Sequence, residues 1–250
     1  MISNHAVFAW WEIIPLWLAY IMYIAGGVTF PIMAYFVVEG YRHTSNLKKY
    51  MLRLLLFGMI AFPFHSLVMG NIMFNIMFTI LVGLISILLY ELIKIRFIFW
   101  VLFVLVAILT SVPISFDWPI IGVVVILMFH IIKSETKRRI LPPIVAGIFF
   151  ALISGFGIWS IVAMKATPGM EAQAEELIYS ITIGRDMEFL WVTLSLVIGT
   201  FFSVFLLKNY NGERGKQSKW LFYIIYPLHL AVLSIVALLF GWVDFSIFGI

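Results

Sequence analysis

Long apolar stretches alternate with short polar ones along almost the whole chain. Each stretch is continuous, without the apolar–polar alternation of barrel strands, and this favours membrane-spanning helices. A helix needs about 20 residues to cross the hydrocarbon core of a bilayer. Runs of about that length cover 17–41, 51–69, 73–93, 97–113, 117–133, 140–165, 187–207 and 219–242. The pattern therefore predicts an all-α, polytopic transmembrane helix bundle with about eight full spans.

The beginning of the chain predicts half of a further span. Residues 1–11 are mostly apolar and are followed by Glu12 and Pro15. A segment of this length is too short to cross a bilayer alone. We therefore expect one integral-membrane helical domain over residues 1–250, truncated at its N-terminus. A start site chosen too late, a lost first segment or a degraded copy would each produce this beginning.

The amino-acid composition agrees with a lipid environment and excludes several kinds of functional site. The chain is 64% hydrophobic and 11% charged, more apolar than a soluble domain of 250 residues could bury. It contains no cysteine, which excludes disulfides, thiol nucleophiles and cysteine metal sites. No paired carboxylates stand at ligand spacing, so no metal cofactor is expected. The net charge of +4 is interpreted as an orientation signal and not as a nucleic-acid surface.

Basic residues concentrate in alternate loops. Fourteen of the 16 lysines and arginines fall in four of them: Arg42, Lys48, Lys49 and Arg53; Lys94 and Arg96; Lys133, Lys137, Arg138 and Arg139; Lys208, Arg214, Lys216 and Lys219. The positive-inside rule places these loops in the cytoplasm. The protein is then a multi-pass component of a bacterial cytoplasmic membrane, with its C-terminus outside.

Two groups of polar residues lie within or beside the apolar runs. At the predicted cytoplasmic end, Arg42 and His43 follow Glu39 by three and four residues, so the three share one helix face. They form either an ion pair at the lipid boundary or a basic pocket for an anionic ligand, in which Glu39 fixes Arg42 for a phosphate.

The second group lies deeper in the membrane. His229 follows Pro227, which interrupts the helix, and Tyr226 places a hydroxyl nearby. A neutral histidine there can act as a general base, and His5 occupies a similar depth. Other members have structural interpretations that are equally good: Asn75 with Thr79 as polar contacts between helices, Asp117 as a helix cap, and His65 as a structural histidine.

Four ordered blocks of this sequence resemble one family. They are "FPIMAYFVVEGYRHTSNLKKYMLRLL" (Phe30–Leu55), "NIMFTILVGL" (Asn75–Leu84), "DWPIIGVVVIL" (Asp117–Leu127) and "KWLFYIIYPLHL" (Lys219–Leu230). They are similar to blocks of the TraX family, whose named member acetylates the N-terminus of a conjugative pilin. The family resembles a wider group of integral-membrane acyltransferases that use cytosolic acyl-CoA.

The resemblance implies an acyl-CoA-dependent enzyme, with acetyl-CoA as cosubstrate. A pilin-like peptide or an envelope glycan would be the acceptor, through an amine or hydroxyl on the outer side. The family pattern Met-x-x-Asp-His appears here as "MISNH", with Asn4 in place of the acid. The resemblance favours His5 as the catalytic base, and His229 is the second choice. In the expected transfer, Asn75 and Tyr226 are candidates to hydrogen-bond the developing oxyanion. Residues expected to bind the CoA phosphates or shape the entrance are Glu39, Arg42, His43, Lys48, Lys49 and Arg53.

Two further function classes fit the same residues. A proton-coupled transporter or lipid flippase would use the same polar path, although Glu39 lies near one end of it and beside Arg42. A non-catalytic assembly factor for surface appendages would use the motifs only for packing. Proton-driven uptake without CoA would identify the transporter, and substitutions that change stability without changing turnover would identify the assembly factor.

Overall fold

A computed structural model describes residues 1–10, 13–110, 116–176, 187–213 and 219–242. The principal helices in chain order are α1 (Ile2–Ala9), α2 (Leu16–His43), α3 (Leu47–Met69), α4 (Ile76–Leu92), α5 (Arg96–Leu109), α6 (Pro119–Ile131), α7 (Glu135–Lys165), α8 (Met187–Lys208) and α9 (Lys219–Leu239). The all-helical architecture is therefore confirmed. Every apolar run identified in the sequence corresponds to one of the helices α2–α9.

Helix length separates these elements into two classes. In the described part of the chain, four helices are long and apolar enough to cross a membrane: Leu16–His43, Leu47–Met69, Glu135–Lys165 and Trp220–Leu239. Helices α4, α5 and α6 are shorter, with 17, 14 and 13 residues. Helix α4 is the longest of these three. At 1.5 Å per residue it is about 26 Å long, less than the hydrocarbon core of about 30 Å. The protein is thus a multi-pass membrane protein, and the structure does not confirm a count of eight full spans.

The N-terminal segment forms a short helix, as expected of a half-span. Helix α1 has eight residues and ends at Ala9. It packs against α2, α3 and α9, so it belongs to the bundle interior. The predicted end of the half-span at residue 11 and the C-terminal residues 243–250 lie outside the described residues.

Glycines bring helices α2 and α8 into close contact. A Cβ at Gly27 would lie 2.8 Å from the carbonyl oxygen of Leu196, and one at Gly199 would lie 2.8 Å from the Cα of Gly27. Membrane helices gain little from apolar burial against one another, because lipid tails are apolar too. Small residues that permit close van der Waals packing are therefore the main stabilising feature of such an interface.

The bundle has two polar ends. At one end, Arg42 on α2 reaches the carbonyl of His130 on α6, and Arg139 on α7 reaches the carbonyl of Tyr210 after α8. At the other end, His65 near the end of α3 faces Asp117, just before α6. His65 follows the first residue of α3 by 18 positions, which corresponds to about 27 Å along the helix. We call these the basic end and the histidine end.

Candidate active site

Two of the predicted catalytic residues are in direct contact. His5 Nδ1 lies 2.9 Å from His229 Nε2, although the residues are 224 positions apart in the chain. Their rings stack with centroids 5.2 Å apart. Both side chains are buried, with His5 4% and His229 8% exposed. The short α1 places His5 against the middle of α9, where His229 follows Pro227.

The hydrogen bonds assign a tautomer to each of these rings. His229 Nδ1 lies 2.9 Å from the carbonyl oxygen of Ile225. A carbonyl only accepts, so His229 carries its proton on Nδ1, and its Nε2 is an acceptor in the neutral ring. His5 Nδ1 therefore donates to His229, and the lone pair of neutral His5 is on Nε2. This geometry leaves the free lone pair of the pair on His5 Nε2, and the hydrogen bond to His229 holds the His5 ring in orientation.

His65 and Asp117 complete the group. The His65 ring meets that of His5 edge-on, with centroids 5.5 Å apart. His65 Nδ1 donates to the carbonyl of Met73 at 3.2 Å, so its Nε2 holds the lone pair. That nitrogen is buried without a hydrogen-bond partner and lies 4.0 Å from Asp117 Oδ2. The sequence suggested separate structural roles for these two residues, whereas the structure places them beside His5.

The loop that carries Asp117 is held by backbone pairing. Phe74 and Phe116 form an isolated parallel bridge, and the Asp117 N–H donates to the carbonyl of Phe74 at 2.7 Å. The Thr79 hydroxyl donates to the Asp117 carbonyl. Trp118 follows with φ of 53°, a left-handed conformation that is costly for a tryptophan. These contacts hold the backbone of Asp117 in place beside His65.

A cavity opens beside this group. Its volume is about 40 Å³, and His5 and Asp117 contribute to its wall together with Asn4 and Trp118. The side-chain oxygen of Asn4 is buried there without a hydrogen-bond partner. A cavity of this size holds one or two waters or a small polar group. Asn4, which stands where the family pattern has an acid, and Asp117 thus lie on the wall of the same cavity.

The two predicted oxyanion donors have different surroundings. Tyr226 is fully buried, and its ring centroid lies 5.4 Å from that of His229 and 6.2 Å from that of His5. Asn75 instead caps α4: its Oδ1 accepts from the Met77 N–H at 3.1 Å, and its Nδ2 donates to the Gly58 carbonyl at 2.8 Å. The structure therefore brings Tyr226 to the histidines and engages both amide atoms of Asn75 in backbone contacts.

At the basic end, Glu39 holds two arginines. Arg42 Nη1 lies 3.5 Å from Glu39 Oε1, as the spacing of three residues predicted. A closer pair joins Glu39 to Arg138 of α7 at 2.8 Å. Arg138 is only 3% exposed and also pairs with Glu135 at 2.7 Å. Sequence reasoning did not single out Arg138, because only its position among loop lysines and arginines was visible.

The remaining residues of the predicted CoA site are spread over the start of α3 and the end of α2. His43 bonds through Nδ1 to the carbonyl of Glu39 at 2.9 Å. Lys48 and Lys49 are exposed in the first turn of α3. Arg53 lies one turn further on, with its guanidinium 5.6 Å from the centroid of the Tyr223 ring. The structure groups Glu39, Arg42 and His43, and places Arg53 against α9.

We expect Arg138→Ala to destabilise the protein by about 1–3 kcal/mol. The substitution leaves Glu39 and Glu135 without their buried partner, and the part-exposure of both carboxylates moderates the cost. Thermal denaturation in detergent would measure the change. Lys137→Ala is the matched control, since Lys137 is the exposed neighbour of Arg138 in the same turn. Equal denaturation temperatures for the two variants would contradict this ion-pair assignment.

Comparison with known proteins gives the chain a family. A family model described as TraX protein matches residues 1–237. The chain is also 25% identical over 227 residues to the probable fimbrial assembly protein FimC, serogroup H1, of Dichelobacter nodosus, a match that covers 83% of this chain and 79% of that protein. No solved structure matches the chain. Because the family model extends over nearly the whole sequence, this chain belongs to the TraX family.

Proposed function

We propose that this protein transfers an acetyl group from acetyl-CoA to an amine or hydroxyl on the outer side of the membrane. The observation that carries the proposal is the hydrogen bond from His5 Nδ1 to His229 Nε2. It leaves a lone pair on His5 Nε2 in a buried site. Such a nitrogen is suited to remove a proton from an acceptor group.

The transfer requires one proton to move twice. As the acceptor nitrogen or oxygen attacks the thioester carbonyl, His5 Nε2 takes the proton of the acceptor. The carbon–sulfur bond then breaks, and the departing CoA sulfur takes the proton from His5. The imidazolium formed between these steps is stabilised by the nearby Asp117 carboxylate and held in place by His229. General base catalysis of this kind contributes about 10²–10⁴-fold in rate.

The basic end would hold the CoA phosphates. Arg42, Lys48 and Lys49 offer exposed cationic groups there, with His43 and Glu39 at the entrance and Arg53 further along α3. About 27 Å of helix separates the start of α3 from His65, so the long pantetheine arm would lie inside the bundle. On this proposal the basic end is cytoplasmic, because positively charged loops remain on that side.

The acceptor is proposed from the family and its relative. The relative is named a probable fimbrial assembly protein, and the resemblance to TraX implies acetylation of a pilin. We therefore propose a pilin-like N-terminus as the first acceptor to test, with an envelope glycan as the second. The relative's name also supports a second candidate function, a part in the assembly of surface appendages. We take a non-catalytic assembly factor as this alternative.

Labelled acetyl-CoA and a synthetic pilin-like peptide with a free α-amino group would test the proposal on purified protein. We expect the double substitution Lys48→Ala and Lys49→Ala to raise KM for acetyl-CoA by roughly 10-fold, because each ammonium would contact a CoA phosphate. Lys165→Ala is the control, an exposed lysine at the end of α7 that follows the membrane-spanning part of that helix. An unchanged KM would contradict the proposal that the two lysines bind the CoA phosphates. Absence of label on any acceptor, in a protein that restores pilus formation in cells, would favour the assembly factor.

A further inference from the structure

We propose that His5, His65 and Asp117 form a binding site for a single Zn²⁺ ion, which competes with proton removal by His5. One nitrogen from each ring and one oxygen of the carboxylate lie within 4.8 Å of one another. This set consists of two imidazoles and one carboxylate without any thiolate, a combination that zinc accepts readily. The proposal concerns an inhibitory ion and not a cofactor; the inhibition rests on the proposed acetyl transfer, whereas the binding of zinc does not.

The protonation of the two histidines is the state that a metal requires. A neutral imidazole binds a metal through the nitrogen that carries no hydrogen. His65 donates its Nδ1 proton to the Met73 carbonyl, and its Nε2 is buried without a partner beside Asp117. His5 donates its Nδ1 proton to His229, which leaves Nε2 free. Both lone pairs are thus available, and neither has to be released from another hydrogen bond.

The hydrogen-bond partners of these ligands are arranged as they usually are around a bound metal. Histidines that bind metals generally donate their second N–H to a carbonyl, a carboxylate or water, which fixes the orientation of the ring. The Met73 carbonyl has this position for His65, and His229 has it for His5. Asp117 is held by backbone hydrogen bonds to Phe74 and Thr79. The residues that position the three ligands come from three separate parts of the chain: the loop between α3 and α4, helix α4 and helix α9.

The distances require only a small closure. Zinc bound at about 2.0–2.2 Å in a tetrahedron brings neighbouring ligand atoms to roughly 3.3–3.6 Å from one another. His65 Nε2 and Asp117 Oδ2 are 4.0 Å apart, and all three ligand atoms lie within 4.8 Å of one another. Side-chain shifts of up to about 1.5 Å therefore complete the geometry. The adjoining cavity of about 40 Å³ leaves the fourth position to water. Three protein ligands with one open position would make an exchangeable site.

Zinc binding can be measured without any acyl donor. The protein is purified in detergent through a tag free of histidine, and ZnCl₂ is titrated calorimetrically. We expect one Zn²⁺ per chain, with at least 10-fold weaker binding for His65→Gln and for Asp117→Asn. Asp117→Asn retains both backbone hydrogen bonds of residue 117, so it keeps the test valid if His65→Gln fails to fold. Co²⁺ in place of Zn²⁺ should give visible absorption bands of a four-coordinate ion.

The control is His130→Gln. His130 pairs with Glu91 at 3.2 Å at the basic end, so this variant removes one histidine and leaves the proposed site intact. We expect it to bind Zn²⁺ as the unaltered chain does. The proposal is overturned if the unaltered chain takes up no stoichiometric Zn²⁺, or if Asp117→Asn binds it equally well. Neither result would contradict the acetyl-transfer proposal. Conversely, a protein that binds Zn²⁺ but transfers no acetyl group would contradict acetyl transfer and not zinc binding.

Discussion

Replacement of His5 by glutamine should lower kcat for acetyl transfer by about 10²–10⁴-fold and leave KM for acetyl-CoA unchanged. Glutamine keeps a polar group near His229 but cannot take a proton from the acceptor. The CoA phosphates are proposed to bind at the basic end, about 27 Å of helix away, so their contribution to KM should persist. Initial rates with labelled acetyl-CoA over a range of concentrations would separate kcat from KM.

Variants of His229 distinguish the base from its partner. His229→Gln retains an amide oxygen that can accept the His5 Nδ1 proton, so we expect a smaller loss of kcat than for His5→Gln. His229→Ala removes the acceptor and frees the His5 ring to change tautomer, so its loss should be larger than that of His229→Gln. Full turnover by His5→Gln, with none by His229→Gln, would mean that His229 is the base and that His5 orients it. The tautomer assignment from the Ile225 carbonyl would then be wrong.

The sequence predicts the positions of the helices well and the contacts between helices poorly. Continuous apolar runs identify α2–α9, because lipid requires each spanning segment to satisfy its own backbone hydrogen bonds. The predicted start of α7 at residue 140 was five positions late, since the helix begins at Glu135. Charged residues in its first turns lower the local hydropathy without stopping the helix. The predicted count of eight full spans is not confirmed, because apolar runs such as those of α4, α5 and α6 form helices of fewer than 18 residues.

In the candidate site, too, the sequence identifies individual residues but not the contacts between them. Depth in the membrane singled out His5 and His229 as chemically unusual, but no periodicity relates residues of α1 and α9 to each other. The choice between them depends on which nitrogen faces the Ile225 carbonyl, and only coordinates give that. Asp117 looked like a helix cap because its helix was the only visible partner. At the basic end, i, i+3 spacing predicted the Glu39–Arg42 pair, whereas the closer partner Arg138 comes from another helix.

The second large effect is expected at the contact between α2 and α8. Gly199→Ala adds a Cβ that would fall on the carbonyl of Ile24 and the backbone of Gly27. Backbone atoms cannot move aside as a flexible side chain does, so the two helices must separate along their length. We expect destabilisation of about 1–3 kcal/mol, the usual cost of overpacking. Thermal denaturation in detergent, followed by gel filtration of the remaining folded protein, would measure it.

Gly155→Ala is the matched control for this prediction. Gly155 lies within α7 with no neighbouring atom within 4 Å of the added Cβ, so the same substitution should be neutral or stabilising by up to about 1 kcal/mol. Gly26 and Phe30 of α2 belong to the cavity wall, so separation of α2 from α8 should also change the shape of the cavity at the histidine end. Acetyl transfer by the folded fraction of Gly199→Ala should therefore fall below that of Gly155→Ala. Equal stability of the two variants would mean that α2 and α8 do not pack this closely.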